Sequence, residues 1–193
     1  MELGFPHIET ARLRLRIPHI KDTAALHSLW HDPEVTKYIP IILYNTEEEI
    51  RDFLTRVKQR WGERGFGMLT VTAKENDEMI GYCGLQYLND GTEVEVYYGF
   101  SRDSWDQGFA TEAAKAVLRF GFEEVGLEAI AGVTQPGNTA SQKVLEKIGL
   151  KKHSENRKFY DTECAYFNIL RNDYSPDDSF YRLTRAEIEG QSE

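Results

Sequence analysis

Hydrophobic residues along the chain follow two different periods, which alternate from one segment to the next. A period of about 3.6 residues predicts helices, and the segments with this period are 22–31, 46–61, 109–124 and 139–149. Alternating polarity or a short apolar run predicts strands, and these segments are 10–16, 66–73, 79–88, 92–100, 129–133, 150–159 and 164–172. The predicted order is therefore β, α, α, β, β, β, α, β, α, β, β.

This order predicts one α/β domain, of the α+β mixed type, with helices flanking a central sheet. The turn sequence Asn89-Asp90-Gly91 predicts a hairpin between strands 79–88 and 92–100. A helix separates the second of these strands from the next, as in a parallel βαβ crossover. We therefore expect a mixed, mostly antiparallel sheet. The domain is predicted to span residues 1–174, and residues 175–193 are interpreted as a C-terminal extension, either docked or loose.

Composition narrows the class of protein. The formal net charge of −9 comes from 32 acidic and 23 basic residues, so the chain should repel nucleic acids and mildly attract amines. We find no apolar run near the roughly 20 residues that cross a bilayer and no secretory signal. Cys83 and Cys164 form neither a disulfide framework nor a zinc pattern, and His27 and His31 lack a third ligand. We expect a cytoplasmic monomer or homodimer with no metal, no membrane partner and no nucleic-acid partner.

The segment 99–112 has the features of an anion-binding loop. It joins a predicted strand to the start of a predicted helix, where the first N–H groups lack partners and the helix dipole is positive. Gly108 and Ala110 carry little side chain, so a pyrophosphate could approach the backbone closely. The segment contains neither G-x-G-x-x-G nor a P-loop. A tight turn that merely uses small residues is the alternative.

Three motifs in this order resemble those of the GNAT acetyltransferase family. The segment Trp105-Asp-Gln-Gly-Phe-Ala110 resembles its acetyl-CoA signature, Gln/Arg-x-x-Gly-x-Gly/Ala, with a tryptophan in the Gln/Arg position. Residues 136–150 resemble the family's second helix motif. Residues 8–16 resemble the opening of the ribosomal-protein N-terminal alanine acetyltransferases. The resemblance covers roughly residues 8–172.

The resemblance implies a binding mode for acetyl-CoA, as cosubstrate, between two splayed parallel strands, 92–100 and 129–134. Backbone groups at the end of the first strand would pair with the pantetheine amides, as in strand addition; these are Phe100, Ser101 and Arg102. The signature loop would hold the pyrophosphate through Gln107, Gly108, Phe109, Ala110 and Thr111. Asn138 is predicted to cap its helix and, by resemblance, to contact the cofactor as well.

The resemblance also implies direct attack of an amine on the thioester, which requires a base and a donor for the departing thiolate. Glu95 is the predicted base, and alternation places it on one strand face with Glu93 and Tyr97. A solvent-facing carboxylate is the alternative. Ser141 is the predicted donor, although its hydroxyl could instead bond to its own helix. Tyr160 and Tyr166 are alternative donors.

The predicted function is therefore acetyl-CoA-dependent N-acetylation of a primary amine, by subgroup resemblance a protein N-terminal α-amine. A small-molecule acceptor (a polyamine, an aminoglycoside or an amino-acid-like compound) is the alternative, because a fold does not fix the acceptor. A non-catalytic acyl-CoA-binding module is the third hypothesis. The acceptor pocket is predicted to involve residues 35–45 and the last strands. Arg12, Arg14 and Arg16 are predicted to form a solvated strand face, with the cofactor's outer phosphate as a lesser alternative.

Overall fold

A computed structural model of the protein describes residues 4–39 and 44–185. The helices are α1 (Thr23–His31), α2 (Pro33–Thr36), α3 (Glu47–Arg64), α4 (Phe109–Phe120) and α5 (Thr139–Lys147). The strands are β1 (Pro6–Glu9), β2 (Leu13–Arg16), β3 (Met68–Ala73), β4 (Met79–Tyr87), β5 (Val94–Phe100), β6 (Ala129–Thr134), β7 (Lys151–Lys152), β8 (Arg157–Phe159), β9 (Thr162–Leu170) and β10 (Arg182–Arg185). Within the described residues, no helix combines the length and apolar character needed to span a membrane.

The strands form one mixed sheet in the order β10-β1-β2-β3-β4-β5-β6-β9-β7, with β8 paired to β9. Neighbouring strands are antiparallel except β5 and β6, which are parallel and pair at one position, Glu95 with Ala131. Beyond that position the two strands diverge, which opens the sheet towards the carboxyl end of β5. The predicted fold class, a mostly antiparallel sheet with splayed parallel central strands, is confirmed.

Helices cover both faces of the sheet, and strand alternation assigns the site residues to these faces. On one face, the ring of Trp30 in α1 lies 6.1 Å from that of Tyr82 in β4. Tyr82 in turn lies 6.0 Å from Tyr97 in β5, on the same face as Glu95. On the other face, Tyr98 bonds to Ser141 in α5. The sheet therefore separates an α1–α3 side from an α4–α5 side.

The local sequence explains how the longest helix is held. Thr46 Oγ1 accepts from the Glu49 N–H at 3.2 Å, and Glu49 Oε2 accepts from the Thr46 N–H at 3.0 Å, which is a capping box. Gly65 ends α3 with a φ of 75°, a conformation that glycine adopts without strain. Apolar side chains on one stripe of α3 are buried against the sheet: Ile50, Leu54, Val57 and Trp61.

Several predicted boundaries were wrong. The strand predicted at 10–16 is a turn followed by β2, because Thr10 folds back and its N–H donates to Leu13 O at 3.0 Å. The segment predicted as one strand at 150–159 contains β7 and β8, separated by a bend. The short helix α2 was not predicted. Residues 40–43 of the predicted acceptor segment lie outside the described residues.

The described part of the C-terminal segment is docked rather than loose. β10 adds to the sheet edge by antiparallel pairing with β1, with Pro6 opposite Arg185. Lys115 on α4 forms an ion pair with Asp177. The Arg119 guanidinium lies 4.6 Å from the ring centre of Tyr181. These contacts fasten residues 177–185 to the sheet edge and to α4.

Candidate active site

A cleft of about 1000 Å³ opens where β5 and β6 diverge. Most of the predicted site residues line it: Glu95, Phe100, Gly108, Phe109, Ala110, Thr111, Asn138, Ser141 and the alternative donor Tyr160. The predicted residues outside its lining are Ser101, Arg102, Gln107 and Tyr166. The described part of the predicted acceptor segment also contributes, through Val35, Lys37, Tyr38, Ile39 and Tyr44.

Glu95 is the buried acid of this cleft, with only 3% of its surface exposed. Its Oε1 accepts from Gln86 Nε2 at 2.8 Å and from the Tyr160 hydroxyl at 2.7 Å. Oε2 makes no hydrogen bond within the described residues, so this oxygen remains available to the cleft. Burial raises the pKa of Glu95 to about 7, although both hydrogen bonds act in the opposite direction. Glu95 is therefore not the solvent-facing carboxylate of the alternative interpretation.

Tyr160 reaches Glu95 from a strained hairpin turn. Tyr160 and Asp161 connect β8 to β9 with φ values of 50° and 57°, which non-glycine residues rarely adopt. The turn is held by the Tyr160 N–H, which donates to Asn89 Oδ1 at 3.2 Å. Strain of this kind persists where surrounding contacts fix it, often at functional sites. Tyr166 is elsewhere, because its hydroxyl donates to Glu93 Oε1 at 2.6 Å, outside the cleft lining.

Ser141 is held by a tyrosine on the α4–α5 side of the sheet. Its hydroxyl lies 3.0 Å from the Tyr98 hydroxyl, and either group can be the donor. The Tyr98 hydroxyl also lies 3.2 Å from the Ser141 carbonyl oxygen. Within the described residues, the Ser141 hydroxyl contacts Tyr98 and not its own helix. Asn138 is the N-cap of α5, since its Oδ1 accepts from the Ser141 N–H at 3.1 Å. No pattern in the sequence indicated the role of Tyr98.

The start of α4 presents unpaired N–H groups to the cleft. Gly108 precedes the helix with a φ of 79°, and no side chain among the described residues caps it. The first α-helical bond runs from the Glu112 N–H to Gly108 O at 3.0 Å. The amides of Phe109, Ala110 and Thr111 precede the first N–H that donates within the helix, so they have no partner inside it. Such a helix start, with small side chains around it, fits a pyrophosphate.

Arg12 is exposed, as predicted, but it lies in the turn before β2 and holds this loop. Its Nη1 donates to Gln107 O at 2.9 Å, and its Nε donates to Glu112 Oε2 at 2.7 Å. Its guanidinium also lies 4.4 Å from the ring centre of Phe109. The Gln107 side chain is turned away from the cleft and donates to Asp103 O at 2.6 Å. Any contact of Gln107 with a cofactor would therefore have to come from its backbone.

At the end of β5, the backbone groups that face the gap are not all those that were predicted to pair with the pantetheine. The Ser101 N–H donates to Ile80 O at 2.9 Å and so faces β4. Because backbone groups of successive strand residues point to opposite neighbours, those of Tyr98 and Phe100 face the gap towards β6. The Trp105 indole N–H donates to Phe100 O at 2.8 Å. The tryptophan in the Gln/Arg position of the signature therefore buttresses the end of β5.

Other proteins resemble this chain in sequence and in fold. The family described as "Acetyltransferase (GNAT) domain" matches residues 12–151. An uncharacterized N-acetyltransferase, p20, of Bacillus licheniformis is 31% identical over 86% of this chain and 97% of its own. An FsC-acetyl coenzyme A-N(2)-transacetylase of Aspergillus fumigatus is 32% identical over 81% of this chain and 70% of its own.

A solved structure is also similar to this chain in sequence and in fold. The crystal structure of a GNAT-family acetyltransferase from Bacillus anthracis superposes with a TM-score of 0.72 at 29% identity. The alignment covers 86% of this chain and 99% of that one. The family match spans more than half of the chain, and the bacterial relative matches almost its full length. The chain belongs to the GNAT family of acetyltransferases.

Proposed function

We propose that the protein transfers the acetyl group of acetyl-CoA to a primary amine by direct attack, with Glu95 as the general base. The observation that carries this proposal is a buried carboxylate with a pKa near 7 in the cleft that also contains the start of α4. A base whose pKa lies near the working pH is the most effective one. A module that only bound acyl-CoA would have no use for a carboxylate of this kind.

The residues of the cleft fit acetyl-CoA, which supplies the activated acetyl group as a thioester. The amides of Phe109, Ala110 and Thr111 would bind the pyrophosphate. The N–H groups of Tyr98 and Phe100 face the gap and would pair with the pantetheine in place of those of Ser101 and Arg102. The side-chain amide of Asn138 keeps its NH₂ group free of the N-cap bond and would donate to the cofactor.

Glu95 and Ser141 would act from opposite faces of the sheet. Most of an α-amine is protonated at pH 7, because its reference pKa is about 8. Glu95 Oε2 would accept the amine proton, directly or through one water molecule. On the other face, the Ser141 hydroxyl would donate to the departing thiolate while Tyr98 fixes its orientation. Tyr160 is a partner of the base and not a second donor to the thiolate.

An α-amine is the acceptor that this base suits best. Glu95 has a pKa of about 7, whereas α-amines titrate near 8 and lysine-like amines near 10.4. Proton transfer to Glu95 is therefore less unfavourable from an α-amine than from a polyamine. We propose a protein N-terminus or an amino-acid-like compound as the acceptor. We also propose a cytoplasmic location, consistent with the buried free thiols of Cys83 and Cys164.

Thiol release from acetyl-CoA tests this function directly. We expect turnover with N-terminal peptides to exceed that with polyamines, and kcat/KM to rise with pH through about 7 as Glu95 loses its proton. The rate is measured with a thiol reagent from pH 5.5 to 9 over a panel of peptides, amino acids, polyamines and aminoglycosides. Acetyl-CoA that raises the melting temperature without turnover of any amine would instead indicate a binding module.

Tyr160→Phe is expected to move this pH dependence upward. The substitution removes one of the two hydrogen bonds that lower the pKa of Glu95, so the acidic limb of kcat/KM should shift by about one pH unit. Tyr166→Phe is the matched control, because that hydroxyl bonds to Glu93 outside the cleft. Equal pH profiles for the two variants would contradict a role for Tyr160 in tuning Glu95.

A further inference from the structure

The wall of the cleft that α3 provides changes from apolar to cationic along the helix. The α3 residues that line the cleft are Phe53, Val57, Arg60 and Arg64. Their spacing of four, three and four residues places them on one face of the helix. Phe53 and Val57 continue the apolar interior, whereas Arg60 and Arg64 are exposed. One turn of helix therefore presents two guanidinium groups to the cleft.

Neither guanidinium is neutralised by the described part of the chain. Within α3, Arg51 forms an ion pair with Glu47. Arg60 and Arg64 have no carboxylate within ion-pair distance among the described residues. The Arg64 guanidinium lies 5.1 Å from the ring centre of Tyr87. A cation–π contact of this kind restrains the guanidinium and leaves its N–H groups available to donate to an anion.

Arg60 lies on the same side of the sheet as Glu95. Burial raises the pKa of Tyr97 well above its usual value, and the charge of Arg60 opposes that rise, so Arg60 is within electrostatic range of the Tyr97 phenol. Tyr97 follows Glu95 by two residues on the same strand face, a distance of roughly 7 Å. The arginine pair therefore lines the cleft on the same side of the sheet as Glu95.

We propose that Arg60 and Arg64 bind a carboxylate of the acceptor, so that the substrate is an amine that also carries an acidic group. The proposal rests on the proposed function and adds to it the class of acceptor. Arg presents a rigid fork of donors that matches a carboxylate in a bidentate way. The same two charges repel polyamines. The carboxylates that line the cleft are Glu34, Glu95 and Asp106.

Two sources could supply this chemistry: an amino-acid-like small molecule, or a peptide with an acidic residue next to its N-terminal amine. Matched pairs of acceptors separate the two sources and remove the amine itself as a variable. The peptide pair is Ala-Glu-Gly-amide and Ala-Gln-Gly-amide. The small-molecule pair is glutamate α-amide and glutamine α-amide. In each pair the acidic and the neutral member are close in size, and kcat/KM is measured by thiol release at low and at high salt.

We expect the wild type to prefer the acidic member of at least one pair by roughly tenfold or more, as for a hydrogen bond to a charged group. The preference should shrink at high salt. Arg60→Gln and Arg64→Gln should each reduce this preference, by lowering kcat/KM for the acidic member more than for the neutral member. Arg56→Gln is the control, because Arg56 lies on the same helix near Tyr44, 5.8 Å from its ring centre, but outside the cleft lining.

The outcomes distinguish the proposal from the function on which it rests. Equal rates for both members of both pairs, or a preference that survives in Arg60→Gln and Arg64→Gln, overturn the carboxylate site and leave the acetyltransferase function intact. Faster turnover of a polyamine than of the acidic acceptors does the same. If no amine on the panel causes release of thiol from acetyl-CoA, the proposed function fails and the carboxylate site fails with it.

Discussion

Glu95→Gln is expected to lower kcat/KM for the acceptor roughly 10²–10⁴-fold, the range for loss of a general base. Glutamine keeps the size of the side chain and an oxygen that can accept from Tyr160 and Gln86, whose bonds to Glu95 are 2.7 and 2.8 Å long. It cannot accept the amine proton. The rise of kcat/KM through about pH 7 should be absent in this variant. Binding of acetyl-CoA, measured by calorimetry, should remain close to that of the wild type.

The same substitution should stabilise the fold, although it lowers the rate. The pKa of Glu95 is about 7 in the folded protein, whereas a glutamate exposed to water has a pKa of 4.5. Between these values the unfolded chain has lost its proton while the folded protein still holds one, so rising pH destabilises the fold. Above pH 7, the buried and ionised Glu95 lowers the free energy of unfolding by about 3 kcal/mol. Glu95→Gln removes this cost, and urea denaturation should show a gain at pH 8 that vanishes near pH 4.

Glu93→Gln is the matched control for both effects. Glu93 immediately precedes β5, two residues before Glu95, but it bonds to Tyr166 and is outside the cleft lining. Its substitution should leave the pH profile and the pH dependence of stability unchanged. A Glu95→Gln enzyme of normal rate would remove Glu95 as the base. A variant that is inactive and also less stable at pH 8 would indicate that Glu95 is a structural group.

The fold was predictable where local chemistry fixes it. The capping box at Thr46 and the turn at 89–91 set the borders of α3 and of the β4–β5 hairpin. The splay of β5 and β6 came from family resemblance and not from periodicity, because alternation describes a single strand and not its distance from a neighbour. The tail depends on a contact between distant segments, Pro6 with Arg185, and the first turn is held in addition by the bond of Thr10 to Glu112, so local patterns could not show them.

The sequence indicated most of the residues that line the cleft, but not their burial, their pKa shifts or their contacts. Alternation placed Glu95 and Tyr97 on one face of β5, but both faces of this strand are covered, so burial and the raised pKa of Glu95 required the structure. Arg12 acts on a loop about one hundred residues away in the chain and gave no local signal. Tyr160 sits in a turn of residues that rarely adopt positive φ. Gln86, by contrast, follows from the hairpin register opposite Glu95.

Gly108→Val is expected to weaken acetyl-CoA binding at least tenfold, because it acts on the start of α4 in two ways. The φ of Gly108 is 79°, where a residue with a Cβ costs roughly 1–2 kcal/mol. A valine side chain would also stand beside the amides of Phe109 and Ala110 and keep a pyrophosphate at a distance. The Cβ itself would lie 3.5 Å from Arg12 Nη2, so the protein has room for it. The loss should therefore appear in the cofactor Kd more than in folding.

Gly126→Val separates these two effects. Gly126 has a φ of 81°, and its Cβ would lie 3.6 Å from an arginine nitrogen, Arg171 Nη2, yet it is outside the cleft lining. Both valine variants should lose a similar amount of stability in urea denaturation, whereas only Gly108→Val should raise the Kd for acetyl-CoA in calorimetry. Normal binding by Gly108→Val would mean that the pyrophosphate lies elsewhere. A matching rise in Gly126→Val would assign the effect to backbone strain. The two glycines have similar φ values and each lies near an arginine, but only Gly108 lines the cleft.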